Sequence, residues 1–105
     1  MVRGEVFRLR PPRGARGSEQ RGARFAVVVQ TDELLGLSTV LVAPTSRAAP
    51  ARSFRPTIDL EGAPTRVLVE QTTAVAPQRL GASVGRLAAS ELHDLDAALS
   101  LVLGL

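Results

Sequence analysis

Residues 2–87 break into many short strand-like runs, each cut by proline or glycine, and only the last stretch carries a helical pattern. That order constrains the fold more than any other feature. Short strands cannot bury a face alone; they pair antiparallel, curl toward closure and leave one side for a helix. The expected class is mainly β: a small, twisted, partly closed antiparallel barrel with an appended C-terminal helix. At 105 residues, the chain fits one domain, residues 1–105.

Val2 to Leu9 alternates and reads as the first strand, although neither face is cleanly apolar. Pro11 and Pro12 block its further pairing. Residues 10–23 form a long loop with Gly14, Gly17 and Gly22, and loops of that length in so small a domain usually serve function. Residues 24–30 are the next strand, and the unbroken run Ala26–Val29 marks it as central, covered on both faces. Thr31 to Leu37 reads as one helical turn, with Thr31 as N-cap and Asp32 and Glu33 behind it. Thr39 to Ala43 is a second central strand, its regular pairing ended by Pro44. Phe54 to Leu60, with Pro56, suits an edge. Gly62-Ala63-Pro64 turns, Arg66 to Gln71 is a strand, and Thr72 to Ala76 continues it after a bend. Pro77 to Leu80 reads as a helical turn closed by Gly81, and Val84 to Leu87 as a last short strand. Ser90 suits the N-cap of the final helix, which carries Leu92, Leu95, Leu99 and Val102 on one face and stops at Gly104.

Composition removes several function classes. There is no cysteine, so disulfides and thiolate metal sites are excluded, and a single histidine, His93, excludes multi-histidine zinc sites. No apolar run approaches ~18 residues, and the N-terminus lacks the apolar core of a secretory signal; no membrane association is expected and the cytoplasm is the expected compartment. All 13 basic residues are arginine. Ten lie in residues 1–55 against four acids, a balance of +6; three lie in residues 56–105 against six acids, a balance of −3. An arginine-rich half is a footprint for a polyanion or an acidic peptide.

The candidate site begins at the long loop. Arg16, Gly17, Ser18, Glu19, Gln20, Arg21, Gly22, Ala23 and Arg24 lead directly into the apolar strand. Polar side chains at the lip of a rigid sheet are how many sites are built. Gly17-Ser18-Glu19-Gln20 with Arg24 resembles the catalytic loop of the MazF/PemK-type toxin endoribonucleases. Nearly the whole chain shares the likeness. Arg3-Gly4-Glu5-Val6 is similar to that family's opening strand, Val40 to Ser46 to its third-strand motif and Val69-Glu70-Gln71 to its Glu-Gln-bearing strand. Arg79-Leu80-Gly81, Val84 to Leu87 and the closing helix are similar to its last third. Three features depart from the pattern. Phe25 stands where the family has proline, and Phe7 where it often has Trp or Tyr. Pro44 also abuts Thr45, so either Thr45 or Ser46 suits the catalytic hydroxyl.

The resemblance implies the SH3-like barrel of the CcdB/PemK/MazF type. It implies a toxin of a type II toxin–antitoxin system, an mRNA interferase that cuts single-stranded RNA sequence-specifically and causes growth arrest. No metal or cofactor is implied, because the 2′-hydroxyl already beside the phosphorus is the nucleophile. The protein must stabilise the phosphorane, help remove the 2′-proton and protonate the leaving 5′-oxygen. Arg24 would hold equatorial oxygens with its guanidinium. Thr45 or Ser46 would orient the phosphate, and Glu19 would either accept the 2′-proton or hold Arg24. Arg16, Ser18, Gln20, Arg21, Glu70 and Gln71 would contact RNA, the polar ones reading splayed bases and the arginines substituting for scarce aromatic platforms. His93, far from the loop in sequence, is assigned to the surface or the fold. The resemblance further implies a homodimer and a cognate MazE-like antitoxin with an acidic tail. A different reading is a non-catalytic or CcdB-like module that binds a protein target or antitoxin; that branch has no need of Arg24 and Thr45 together.

Overall fold

The computed structural model describes residues 1–11 and 24–105. In chain order the strands are β1 (Glu5–Leu9), β2 (Phe25–Val28), β3 (Val40–Ser46), β4 (Thr57–Leu60), β5 (Ala63–Val67), β6 (Thr73–Val75) and β7 (Leu80–Arg86), followed by helix α1 (Ala89–Leu103). Every strand pairing is antiparallel, in the order β4-β5-β3-β2-β1-β7, with β6 also on β3. The expected class, a curled β-sheet with one C-terminal helix, is what forms.

β2 organises the core because both of its faces are covered. Phe25, Val27 and Val29 join Ile58, Val67, Leu95 and Ala98 in one apolar cluster beneath α1. Ala26 and Val28 join Val40, Val42, Val75 and Leu80 in a second cluster on the opposite face. The uninterrupted run in the sequence therefore reflects double burial, as expected of a central strand.

β3 differs from its expected extent: it runs through Pro44 to Ser46. Proline is tolerated there for a geometric reason. Pro44 stands opposite Ala26, a pair whose backbone groups point away from each other, so β2 asks nothing of its nitrogen. Its carbonyl takes the Leu68 amide at 2.8 Å on the other edge. There the missing N–H falls between β6, which pairs with Val40–Val42, and β5, which pairs with Thr45 and Ser46.

Other boundaries shift for local reasons. Glu61 and Gly62 make the β4–β5 turn, both with positive φ, as a two-residue type I′ hairpin requires, so Pro64 falls inside β5. Glu70 and Gln71 lie on a 3-10 turn, Val69–Gln71, and not on a strand. The Thr31 turn is a 3-10 turn over Asp32–Leu34 with no side-chain cap bond. β7 begins earlier than expected, at Leu80. Ala88, not Ser90, is the helix N-cap; Glu91 reaches back to the Ala88 amide (2.8 Å) and also takes the Asp59 amide (2.7 Å). Gly104 adopts the left-handed conformation that ends the helix.

Leu95 is fully buried and locks α1 to the sheet. Leu95→Ala is expected to cost about 2–5 kcal/mol, read as a lower urea midpoint at unchanged slope.

Candidate active site

The register of the sheet assembles the site. β2 and β3 pair with Val27 opposite Ala43 and Ala26 opposite Pro44. The ladder ends at that pair; just beyond it Thr45 Oγ1 reaches the Phe25 carbonyl at 3.3 Å, and continuing the register would bring Arg24 beside Ser46. Next to them, Ser46 stands opposite Arg66 and Thr45 opposite Val67 across β3 and β5, and Arg66 stands opposite Thr57 across β5 and β4. Strand residues alternate between faces. Ser46, Arg66 and Thr57 thus form one cross-strand row, while Thr45 and Val67 belong to the other face. The Leu9 amide donates to the Arg24 carbonyl at 2.8 Å, which ties Arg24 to β1 at the entrance of β2.

The two candidate hydroxyls have different duties. Thr45 Oγ1 donates to the Phe25 carbonyl at 3.3 Å, so its proton is committed to the backbone. Ser46 Oγ instead accepts from the amides of Ala48 (3.2 Å) and Ala49 (3.0 Å). Its acceptor positions are taken and its proton remains available to donate. Phosphate oxygens accept only, so Ser46 is the better-prepared phosphate ligand.

A groove of about 540 Å³ opens on the other face, lined by Arg8, Phe25, Thr45, Glu61 and Thr65 among others, and Ser46 is the one residue of the row that reaches it. Arg8 lies over the Phe25 ring, 5.3 Å from its centroid. Phe25, which stands where the family's proline would be, thus supports a cation at the groove's mouth.

Glu70 is held by Arg55, with Nη2 at 2.6 Å and Nε at 2.9 Å from the same carboxylate oxygen; Arg55 in turn lies 5.4 Å from the Phe54 ring centroid. The ion pair with Arg55 draws the Glu70 carboxyl below its usual value of 4.5. Glu70 is therefore a charged acceptor on the turn after β5, pre-oriented by Arg55 from the segment between β3 and β4. Gln71 is exposed beside it. Arg16, Ser18, Glu19, Gln20 and Arg21 lie outside the described residues. His93 is exposed on α1. Among the described residues, no cluster of three or more histidine or acidic residues is arranged to hold a metal ion.

The sequence matches the description "PemK-like, MazF-like toxin of type II toxin-antitoxin system" over residues 2–103. The chain belongs to this family. It is 38% identical to the endoribonuclease MazF9 of Mycobacterium tuberculosis over 120 aligned positions that span 100% of this chain and 98% of the relative. The fold is shared with an endoribonuclease solved with its cognate antitoxin from a mycobacterial species, at a TM-score of 0.81 and 16% identity, covering 100% of this chain and 96% of that one. It is shared equally with MazF of Deinococcus radiodurans, at a TM-score of 0.77 and 22% identity, covering 100% and 97%.

In this MazF-like chain, two further arginines are placed by register that no sequence motif singled out. Arg66 comes opposite Ser46 through β3 and β5, and Arg8 comes opposite Phe25 through β1 and β2, on the other face. The only available signal was their place in strand-like runs where the neighbouring positions are apolar.

The pH dependence of the Arg55–Glu70 pair has a definite sign. Since the folded-state pKa of Glu70 is lowered, the pair's contribution is complete above 4.5 and is lost as pH falls below that value. Thermal melts from pH 6 to pH 3 are expected to show a steeper loss of Tm in the wild type than in Glu70→Gln, with the two curves converging at the acid end.

Proposed function

We propose that this toxin is a metal-independent, sequence-specific endoribonuclease acting on single-stranded RNA, messenger RNA above all, with Arg24 and Ser46 as its catalytic pair. The observation that supports the assignment is the Ser46 hydroxyl, held with an uncommitted proton just beyond the β2–β3 ladder whose continuation across β2 leads to Arg24.

The chemistry follows from those two groups. The 2′-oxygen attacks the adjacent phosphorus, a P–O2′ bond forms and the P–O5′ bond breaks. The products are a 2′,3′-cyclic phosphate and a free 5′-hydroxyl. Negative charge builds on the non-bridging oxygens as the phosphorane forms. Arg24 meets that charge with paired N–H donors, and Ser46 adds an O–H donor fixed by two backbone amides. Arg24 is assigned to charge stabilisation, and no proton is routed through it. Glu19, a few residues before Arg24, is the candidate acceptor of the 2′-proton, and water supplies the proton that the leaving 5′-oxygen takes up. Thr45 supports the site from behind through the Phe25 carbonyl.

Arg16, Ser18, Gln20, Arg21, Glu70 and Gln71 are the proposed RNA contacts. Glu70 is an acceptor for base amino groups, which its fixed ion pair with Arg55 would orient. The toxin works in the cytoplasm as a homodimer, and a cognate MazE-like antitoxin restrains it. The arginine-rich first half suits both RNA and an acidic antitoxin tail.

The test is cleavage of a long single-stranded RNA by purified, antitoxin-free protein in excess EDTA. Discrete cuts are expected from the wild type. Arg24→Ala and Ser46→Ala are each expected to lower kcat by about 10²–10³. Thr45→Val should leave the rate near wild type. Loss of activity in Thr45→Val with retention in Ser46→Ala would reverse the assignment of the hydroxyl. A folded wild type that cuts none of several RNAs would turn the reading toward a binding module.

A further inference from the structure

We infer that Arg66 is a second phosphate-contacting cation of the site, facing the scissile or the adjoining phosphate from the side of Ser46 opposite Arg24. The inference rests on the catalytic pair proposed above and extends it by one strand.

Three observations support it. Arg66 stands directly opposite Ser46 across β5 and β3, and continuing the β2–β3 register past Ala26 and Pro44 would bring Arg24 to the other side of that hydroxyl. Directly opposed residues lie close enough for their side chains to share one ligand. Second, the Arg66 guanidinium is anchored from behind: Nη1 donates to Thr57 Oγ1 at 2.6 Å, which fixes its orientation from the next strand. Third, its Nε is buried without a hydrogen-bond partner among the described residues, and no carboxylate there forms an ion pair with it. A half-covered cation with an unused donor is costly to keep. Nothing in the packing around it recovers that cost, whereas a dianionic or monoanionic phosphate on Ser46 would. Other described arginines of the molecule contrast with it. Arg3 is paired with Asp96 and Arg55 with Glu70, and Arg79 is spent on the Arg10 carbonyl.

Arg66→Met removes the costly unpaired Nε together with one exposed hydrogen bond to Thr57, so the two effects offset and stability should change little. The test uses the intact protein in EDTA. Wild-type cuts in a long single-stranded RNA are mapped first, and an oligonucleotide with the mapped sequence serves as substrate. A copy with 2′-deoxyribose at the cut site has the same phosphates and no nucleophile, and reports binding alone. Wild type, Arg66→Met, Arg66→Lys and Arg24→Ala are compared for kcat, for Tm and for the slope of log Kd against log salt.

Arg66→Met is expected to keep its Tm, to lose about tenfold or more in kcat and to show a salt slope smaller by about 0.7, the loss of one contact to a single strand. Arg66→Lys should restore the slope and only part of the rate, since an ammonium replaces the charge but not the fork. Wild-type rate and slope in Arg66→Met, with Arg24→Ala inactive, would overturn the inference and leave the catalytic pair standing. A Tm drop of more than about 10 °C in both Arg66 variants would assign the residue to the fold and also overturn it. No cleavage by any protein, wild type included, would remove the underlying reading and this inference together.

Discussion

The pairing of β2 with β3 is the constraint on which the rest depends. β2 has no exposed face: odd residues pack under α1, and even residues pack against β6 and β7. A strand covered on both sides cannot slip by one residue without moving every apolar side chain into the wrong cluster. Its register is therefore fixed far more firmly than that of an edge. Arg24 on one strand and Thr45 and Ser46 on the other are the first polar positions beyond this fixed segment, so a firmly registered ladder leads up to the proposed site.

Electrostatics separate two kinds of arginine in this molecule. Arg3 and Arg55 have carboxylate partners and act as ties between elements: Arg3 joins the first strand's entrance to α1, and Arg55 joins the segment before β4 to the 3-10 turn. Arg8 and Arg66 have aromatic or hydroxyl supports and no carboxylate among the described residues. Supports of the second kind orient a cation without cancelling its field. A surface built from them presents positive potential at fixed points, which suits an anionic strand better than a diffuse basic patch does.

Much of this was legible in the chain. Double burial of β2 could be read from Ala26–Val29 because both faces demand apolar residues, and the helix face of Leu92, Leu95 and Leu99 could be read because one face demands them every third or fourth residue. Pro44 misled for the opposite reason. Its effect depends on which edge its nitrogen faces, and parity of that kind is set by the partner strand. The turn expected at Gly62-Ala63-Pro64 forms one residue earlier, at Glu61-Gly62, because positive φ at Glu61, a residue without glycine's freedom, is not legible in sequence. Glu70 and Gln71 looked strand-like because Val67 to Val69 is apolar, yet the chain must bend there to let β6 return to β3. Arg66 was invisible for the simplest reason: its meaning comes entirely from what lies across from it. The choice between Thr45 and Ser46 was open in the sequence, since both are small hydroxyls. What distinguishes them is the destination of one proton each.

The outer edge of β3 is divided between two partners, with Pro44 at the division. β6 holds the inner half, and the β4–β5 hairpin holds the outer half through the pairs at Thr45 and Ser46. The hairpin is also seated in the core: Ile58, Leu60 and Val67 are buried with β2 and Leu95, and the Asp59 amide is tied to Glu91 of α1. One small hairpin therefore clamps the outer end of β3 to the helix, so that a cavity opened at Ile58 or Val67 would loosen the surroundings of Ser46 and the seat of α1 together.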